Sequence, residues 1–243
     1  MKFLRKLAII LFDLIDLYIH QKRILAYLKR KKIKVEIFFD VGSHKGTYSD
    51  LILRNFNVKK IIMFEPQTNI FNFLKKKYKN NKIIKKYNLA ISNKKGFKEF
   101  NINKHDLTSS FTKYNNQNRY LKLKAKLFES TTNKMNYKKI KVKTIKLSEI
   151  FKKKKIKKLD LLKVDTEGHE LEVLQGLATE IKKVKNILIE FHPNKIYLNY
   201  KPRIIHEYLI KQNFELMTVY KFPFATWEDR FYQNKNISIT NVL

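Results

Sequence analysis

Short apolar runs recur along this chain, separated by stretches with helical spacing. The first run, Val35 to Val41, carries β-type residues up to Asp40 and is followed at once by Gly42 and Gly46, which predicts a buried strand, a tight turn and a helix start. A helix is expected from Thr47 to Phe56, with Leu51, Ile52 and Leu53 as its apolar centre. A second strand, Ile61 to Phe64, ends in Glu65-Pro66, and the next helix turns Ile70, Phe71 and Leu74 inward. The third strand is expected at Ile83-Ile84 or at Asn88 to Ile91. Alternation of this kind predicts right-handed crossovers and a mostly parallel, doubly wound α/β sheet.

The pattern then breaks. Gly96 to Ile102 reads as a turn and an extended segment, and Asn103 to Tyr137 is polar, with T-S-S-F at Thr108 to Phe111. A stretch this long between core elements predicts an insertion or lid on the substrate side, about 103–137. The α/β pattern resumes with Val142 to Leu147 and the short run Ser148 to Phe151; Lys152 to Lys158 reads as a solvated loop. Leu159 to Val164 is a second buried strand, ending in Asp165. The helix after Gly168 places Leu171, Leu174 and Leu177 on one face. Ile187 to Ile189 is a further strand, leading into Glu190-Phe191-His192-Pro193, and a helix follows around Arg203 to Lys211. Glu215 to Tyr220 and Ile237 to Val242 are expected to form an antiparallel edge.

Residues 1–32 precede this core as an amphipathic helical extension, and 33–243 form the one domain. Leu4, Leu7, Ala8, Leu11, Leu14, Ile15 and Ile19 follow helical spacing. Leu7 to Phe12 is too short to span a bilayer, and no small-residue cleavage site follows it. Packing on the domain or on a second subunit is the favoured reading, with weak peripheral contact at the inner membrane of a cytoplasmic protein as the lesser one.

Composition changes this picture little. The 243 residues can bury a real core, and the absence of cysteine excludes disulfides and thiolate metal sites. A net charge of +32 invites a nucleic-acid partner, but only seven of the 53 basic residues are Arg, whose planar fork specific readout favours. The accompanying wealth of Asn, Ile, Phe and Tyr points instead to compositional bias, and no specific nucleic-acid partner is expected.

The candidate chemistry lies at strand ends. Asp40, Glu65, Asp165 and Glu190 each close a predicted strand. Four carboxylates at one edge of a parallel sheet repel unless something cationic or rich in donors sits among them. S-adenosylmethionine, with its sulfonium, ammonium and ribose hydroxyls, meets that need. Gly42 and Gly46 form G-x-x-x-G rather than the dinucleotide G-x-G-x-x-G, and no phosphate loop is present. Glu65 stands where a ribose-binding acid falls in any such fold, so it does not by itself decide between this cofactor and NAD.

D-V-G-S-H-K-G, M-F-E-P, L-L-K-V-D-T-E-G-H-E-L-E-V-L-Q-G and I-L-I-E-F-H follow one another between Val35 and His192. In that order they resemble the FkbM family of S-adenosylmethionine-dependent methyltransferases. The resemblance implies the Rossmann-like class I methyltransferase fold and O-methylation of a hydroxyl on a sugar, glycan or related metabolite. It implies that Asp40, Gly42, Ser43, His44 and Gly46 line the methionine part of the cofactor. Glu65 would hold the ribose, Asn88 to Ile91 (with Ala90) would lie near the adenine, and Asp165 and Glu167 would border the transferring methyl group. One departure is that Ser43-His44 stand where the family has Ala-Asn, an Asn that orders the turn.

A hydroxyl acceptor must also lose a proton. Asp165, His169 and His192 are the candidate bases, with His44 more distant; Asp165 ranks first and His192 second. The candidate catalytic set is therefore Asp165, Glu167 and His192. Asp165, Glu190 and His192 have metal-ligand chemistry, but no tight ligand spacing appears, and no metal is expected. Two other readings remain open: an RNA or DNA methyltransferase, although no [DNS]-P-P-[YFW] run follows the Asp165 strand, and a non-enzymatic membrane-associated module. Oligomerisation is compatible with all three.

Overall fold

The computed structural model describes residues 19–103, 109–113, 115, 117–118, 136–192, 196–222 and 227–238. Its main sheet has seven strands: β1 Ile37–Val41, β2 Lys60–Phe64, β3 Ile84–Tyr87, β7 Leu159–Val164, β8 Val184–Phe191, β9 Phe214–Lys221 and β10 Glu228–Asn234. They lie in the order β3-β2-β1-β7-β8-β10-β9. The first five pairings partners, β3 to β8, run parallel, and β10 is antiparallel to both of its neighbours. This is the mostly parallel, doubly wound sheet the alternation predicts, with the antiparallel strand one place in from the edge.

Apolar side chains cover both faces, which is why the central strands read as nearly unbroken hydrophobic runs. One face carries Phe39, Val41, Ile62, Phe64, Leu162, Val164, Ile187 and Ile189. It packs on helix α4 (Leu147–Lys153), helix α5 (Glu170–Gln175), the 3-10 turn Ala178–Lys183 and helix α6 (Pro202–Lys211). The opposite face, with Phe38, Ile61, Met63, Leu161, Leu188 and Phe231, packs on helices α1 (Gln21–Arg30), α2 (Thr47–Asn55) and α3 (Thr68–Lys77). A ten-residue helix such as α1 is marginal alone. It holds because Ile24, Leu25, Tyr27 and Leu28 are buried against the sheet, with Tyr27 edge-on to Phe231 at 5.5 Å, and because His20 Nε2 meets Asp229 Oδ2 at 2.8 Å just before it. The apolar set expected from Leu4 to Ile15 lies outside the described residues, and Ile19 is exposed. No helix among the described residues is long and apolar enough to cross a membrane.

Several expectations are corrected or narrowed. The run Val142 to Leu147 does not rejoin the main sheet. It ends strand β6 (Asn136–Ile145) of a separate three-stranded sheet, ordered β4-β6-β5 with β4 Ala90–Ile91 and β5 Gly96–Asn103, and Leu147 begins α4. Of the two sites offered for the third strand, β3 supplies the main-sheet partner, while Ala90–Ile91 pairs with Thr144 and Ile145. Strand β9 pairs with β10; of the expected strand Ile237 to Val242, Ile237 and Ser238 lie in the helical turn Lys235–Ser238, helix α7, and the rest lies outside the described residues. Charged residues disguised β10, but Asp229 is paired with His20 and Glu228 with Arg230. The predicted loop Lys152 to Lys158 begins inside α4, and Ile156 within it is buried.

Of the expected insertion 103–137, residues 109–113, 115 and 117–118 are described. Asn101 and Ser110 exchange backbone hydrogen bonds, the Thr112 hydroxyl donates to the Gly168 carbonyl, and Leu198 N–H donates to the Lys113 carbonyl. This segment therefore ties the small sheet to the turn after β7.

Candidate active site

Strand register sets the site. Val41 pairs with Phe64 on one side and Val164 on the other, and Val164 pairs with Ile189. The next residues, Gly42, Glu65, Asp165 and Glu190, therefore share one level at the carboxyl rim of four adjacent strands, where open α/β sheets bind ligands. Asp40 lies one level deeper, opposite Met63 and Lys163.

The first turn is shaped by its neighbours. Gly42 and Gly46 have φ of 81° and 77°, and a Cβ on Gly42 would stand 1.7 Å from the Asp165 carbonyl oxygen. The backbones of the two turns thus touch, which no residue but glycine allows here. His44 is left-handed too, at φ 43°. Its N–H donates to Glu65 Oε2 at 3.0 Å, while Gln67 N–H donates to Oε1 at 2.8 Å. Glu65 thus orders the turn through backbone N–H groups, a bond that does not depend on the side chain at position 44. Ser43 N–H and Gly42 N–H both donate to the Phe64 carbonyl at 3.1 Å.

Asp40 is buried, and the Ser49 hydroxyl donates to its Oδ2 at 2.6 Å. Among the described residues its Oδ1 has no hydrogen-bond partner. Burial pushes its pKa up, and Lys163 opposes the shift. Asn88 donates to the Glu65 and Pro66 carbonyls at 2.9 and 3.0 Å and accepts from Thr68, so it ties the end of β3 to the end of β2. Ala90 does not face the rim; it packs with Phe100 and Val142 in the small sheet.

The second turn follows β7. Lys163 is 7% exposed, and its Nζ lies 2.6 Å from Asp165 Oδ2. Burial lowers its pKa, but the charges of Asp165, Asp40 and Asp229 outweigh that and raise it, so this lysine is held as a cation. Glu170 Oε1 accepts from Thr166 N–H, the Thr166 hydroxyl and Gly168 N–H, each at 3.0 Å. Burial pushes Glu170 up to about 7 against those bonds. The turn they fix holds Glu167 at φ 56° and Gly168 at φ 95°.

Glu167 is aimed across the rim. Its Oε2 accepts from the Tyr197 hydroxyl and lies 3.7 Å from His192 Nε2, which is 3.2 Å from Glu190 Oε1. Burial and the charges of Asp165, Glu167 and Asp229 push Glu190 well up, with Lys163 opposing. The His192 ring meets Tyr197 and Tyr200 edge-on at 4.9 and 5.8 Å. His169 is elsewhere. Its Nε2 lies 3.0 Å from Ser92 Oγ, its ring packs on Phe111, and burial followed by Lys98 lowers its pKa to about 3. Its Nδ1 lies 3.3 Å from Glu172 Oε2, so both ring nitrogens are engaged by neighbours away from the Asp165–Glu167 side of the turn.

The rim thus brings together Asp40, Gly42, Ser43, His44, Gly46, Glu65 and Asp165, with Glu167 and His192 at its β8 end. Sequence reasoning passed over Lys163, Glu170, Tyr197 and Tyr200; a lysine inside the buried run L-D-L-L-K-V-D was the available signal. Beyond Gly168 lies a cavity of about 290 Å³ lined by residues including Phe111, Lys113, Glu172 and Asn199.

Comparison with known proteins places this architecture. Over 51 residues the chain is 39% identical to the hexuronic acid methyltransferase AglP of Haloferax volcanii, a match covering 21% of each protein. The solved FkbM methyltransferase of Methylobacillus flagellatus KT superposes with a TM-score of 0.53 at 13% identity, over 82% of this chain and 43% of that one, a likeness of fold. The chain therefore spans less than half of that neighbour, and about a fifth of the curated relative is matched. The Methyltransferase FkbM domain model matches residues 40–216, and with most of its length inside that match the chain belongs to this family.

Proposed function

We propose that this protein methylates a hydroxyl of a sugar or related metabolite, using S-adenosylmethionine. The observation that carries this reading is the level row Gly42, Glu65, Asp165 and Glu190, with the unfilled buried Oδ1 of Asp40 beneath it. When bound, the cofactor supplies a methyl group on a cationic sulfur. An acidic rim with an orphaned acceptor and a glycine turn too tight for any Cβ suits that group. Asp40 and the backbone of Gly42 to Gly46 would hold its methionine part, with Ser43 and His44 in the same turn. Glu65, whose carboxylate His44 and Gln67 N–H groups already orient, would hold the ribose hydroxyls, and Asn88 fixes the adjoining wall.

Asp165, neutralised in part by Lys163, sets the negative potential beside Gly42. Glu167 and His192, with Glu190 behind them, face the acceptor and draw its hydroxyl proton away. The polar lining of the cavity beyond Gly168 suits a hydroxylated molecule, and the partial match to a hexuronic acid methyltransferase supports a sugar.

The test is transfer of labelled methyl from S-adenosylmethionine to a panel of hexuronates, neutral sugars and RNA. Label in a sugar, lost by at least about a hundredfold in Glu167→Gln, is expected. Label in RNA alone would overturn the proposal.

A further inference from the structure

Glu167, Glu190 and His192 form a group that cofactor binding does not need. One oxygen or nitrogen from each lies within 4.8 Å of the others. His192 Nε2 stands 3.2 Å from Glu190 Oε1 and 3.7 Å from Glu167 Oε2. Neighbouring ligands stand about 3.0 Å apart around an octahedral ion with bonds of about 2.1 Å, and about 3.4 Å apart around a tetrahedral one. The His192–Glu190 spacing is therefore close to the octahedral value and the His192–Glu167 spacing is wider than it by well under the length of a bond, a gap that χ rotations of the glutamates close.

These are not surface acids meeting by chance. The three side chains are 17%, 14% and 5% exposed. Glu190 lies in β8 and His192 directly follows its last residue, while Glu167 is set by a left-handed turn that three donors to Glu170 hold in place. Tyr197 donates to Glu167 from outside the group, the kind of outer partner that orients a metal-binding carboxylate. A simple imidazolium–carboxylate pair balances one Glu. Here two carboxylates share one imidazole, with Asp165 and Asp229 adding negative charge around Glu190 that Lys163 offsets in part.

We infer that Glu167, Glu190 and His192 bind a divalent cation of the Mg²⁺ or Mn²⁺ class, whose open positions receive two neighbouring hydroxyls of the acceptor. This deepens the methyltransferase reading and rests on it. A divalent ion lowers the pKa of a hydroxyl it touches and orients it. With the ion bound, Glu167 and His192 draw the proton off the hydroxyl through the ion rather than by taking it themselves; the proton passes to solvent, the carbon–oxygen bond forms as the carbon–sulfur bond breaks, and an ether and S-adenosylhomocysteine result. The acceptor class narrows to molecules with vicinal hydroxyls.

Mn²⁺ alone, titrated into the full chain and followed by the electron paramagnetic resonance of the free ion, tests this. One saturable site per chain is expected, weakened at least about tenfold by Glu190→Gln and by Glu167→Gln. Both variants should keep the wild-type affinity for S-adenosylhomocysteine and the wild-type thermal transition. If Glu190→Gln does not fold, Glu167→Gln on its turn carries the test. Absence of a saturable site, or a site that survives substitution, overturns the inference. S-adenosylhomocysteine binding without Mn²⁺ binding overturns it alone; Mn²⁺ binding without S-adenosylhomocysteine binding overturns the methyltransferase reading beneath it.

Discussion

Two adjacent residues in the second turn titrate in opposite senses, and this gives the site a pH signature. His169 falls to about 3 in the fold from 6.5, because a buried imidazole resists protonation. The unfolded chain binds the extra proton below 6.5, so stability is present above 6.5 and is lost as pH falls toward 3. Glu170 rises to about 7 from 4.5. The folded chain then holds the extra proton, so stability is fully present below 4.5 and is lost as pH rises through 7. Between pH 7.5 and 5 each effect is about 2 kcal/mol, with opposite sign. Urea denaturation at those two pH values separates them. The stability deficit of His169→Asn should shrink by about 2 kcal/mol at pH 5, and that of Glu170→Gln should grow by a similar amount. A deficit independent of pH in both variants would contradict these assignments. The stretch D-T-E-G-H-E offered Asp165 and His169 both as candidate bases, with Asp165 first; the fold shows that His169 turns to Ser92 and Phe111 while Glu167 turns to His192.

At the scale of elements, β1, β2, β7 and β8 were legible because burial on both faces leaves near-continuous apolar runs. Their carboxyl ends, with Asp40, Gly42, Glu65 and Asp165, followed from strand order alone. Strand β10 was not legible, because its charged residues are buried in pairs, Asp229 with His20 and Glu228 with Arg230. Strand β6 was misassigned because alternation marks a strand but not the sheet it joins, and with it Ala90 moved away from the rim. The meeting of Glu167, Glu190 and His192 was hidden for a related reason: the ligands are brought together by parallel pairing of β7 and β8, not by close spacing in the chain. Helix α1 gives this scale its test. Leu28 is fully buried against the sheet, so Leu28→Ala should cost about 2–5 kcal/mol in urea denaturation. A loss under about 0.5 kcal/mol, typical of a surface position, would show that α1 is no part of the core.

Over the whole molecule, a net charge of +32 surrounds an acidic rim. Such a field draws anions to the outer surface, while the rim itself favours cations and repels phosphate. That contrast is why the positive charge does not argue for nucleic acid at the reaction centre. The rim's attraction for a sulfur cation is the claim on which the acceptor, the proton's path and the divalent ion all depend. Titration calorimetry of S-adenosylmethionine into the full chain and into Glu65→Ala tests it most directly. One site per chain, weakened by about tenfold or more in the variant through the loss of charge-assisted hydrogen bonds, is the result this account predicts. No saturable binding to the folded wild-type chain, or equal binding to Glu65→Ala, would contradict it.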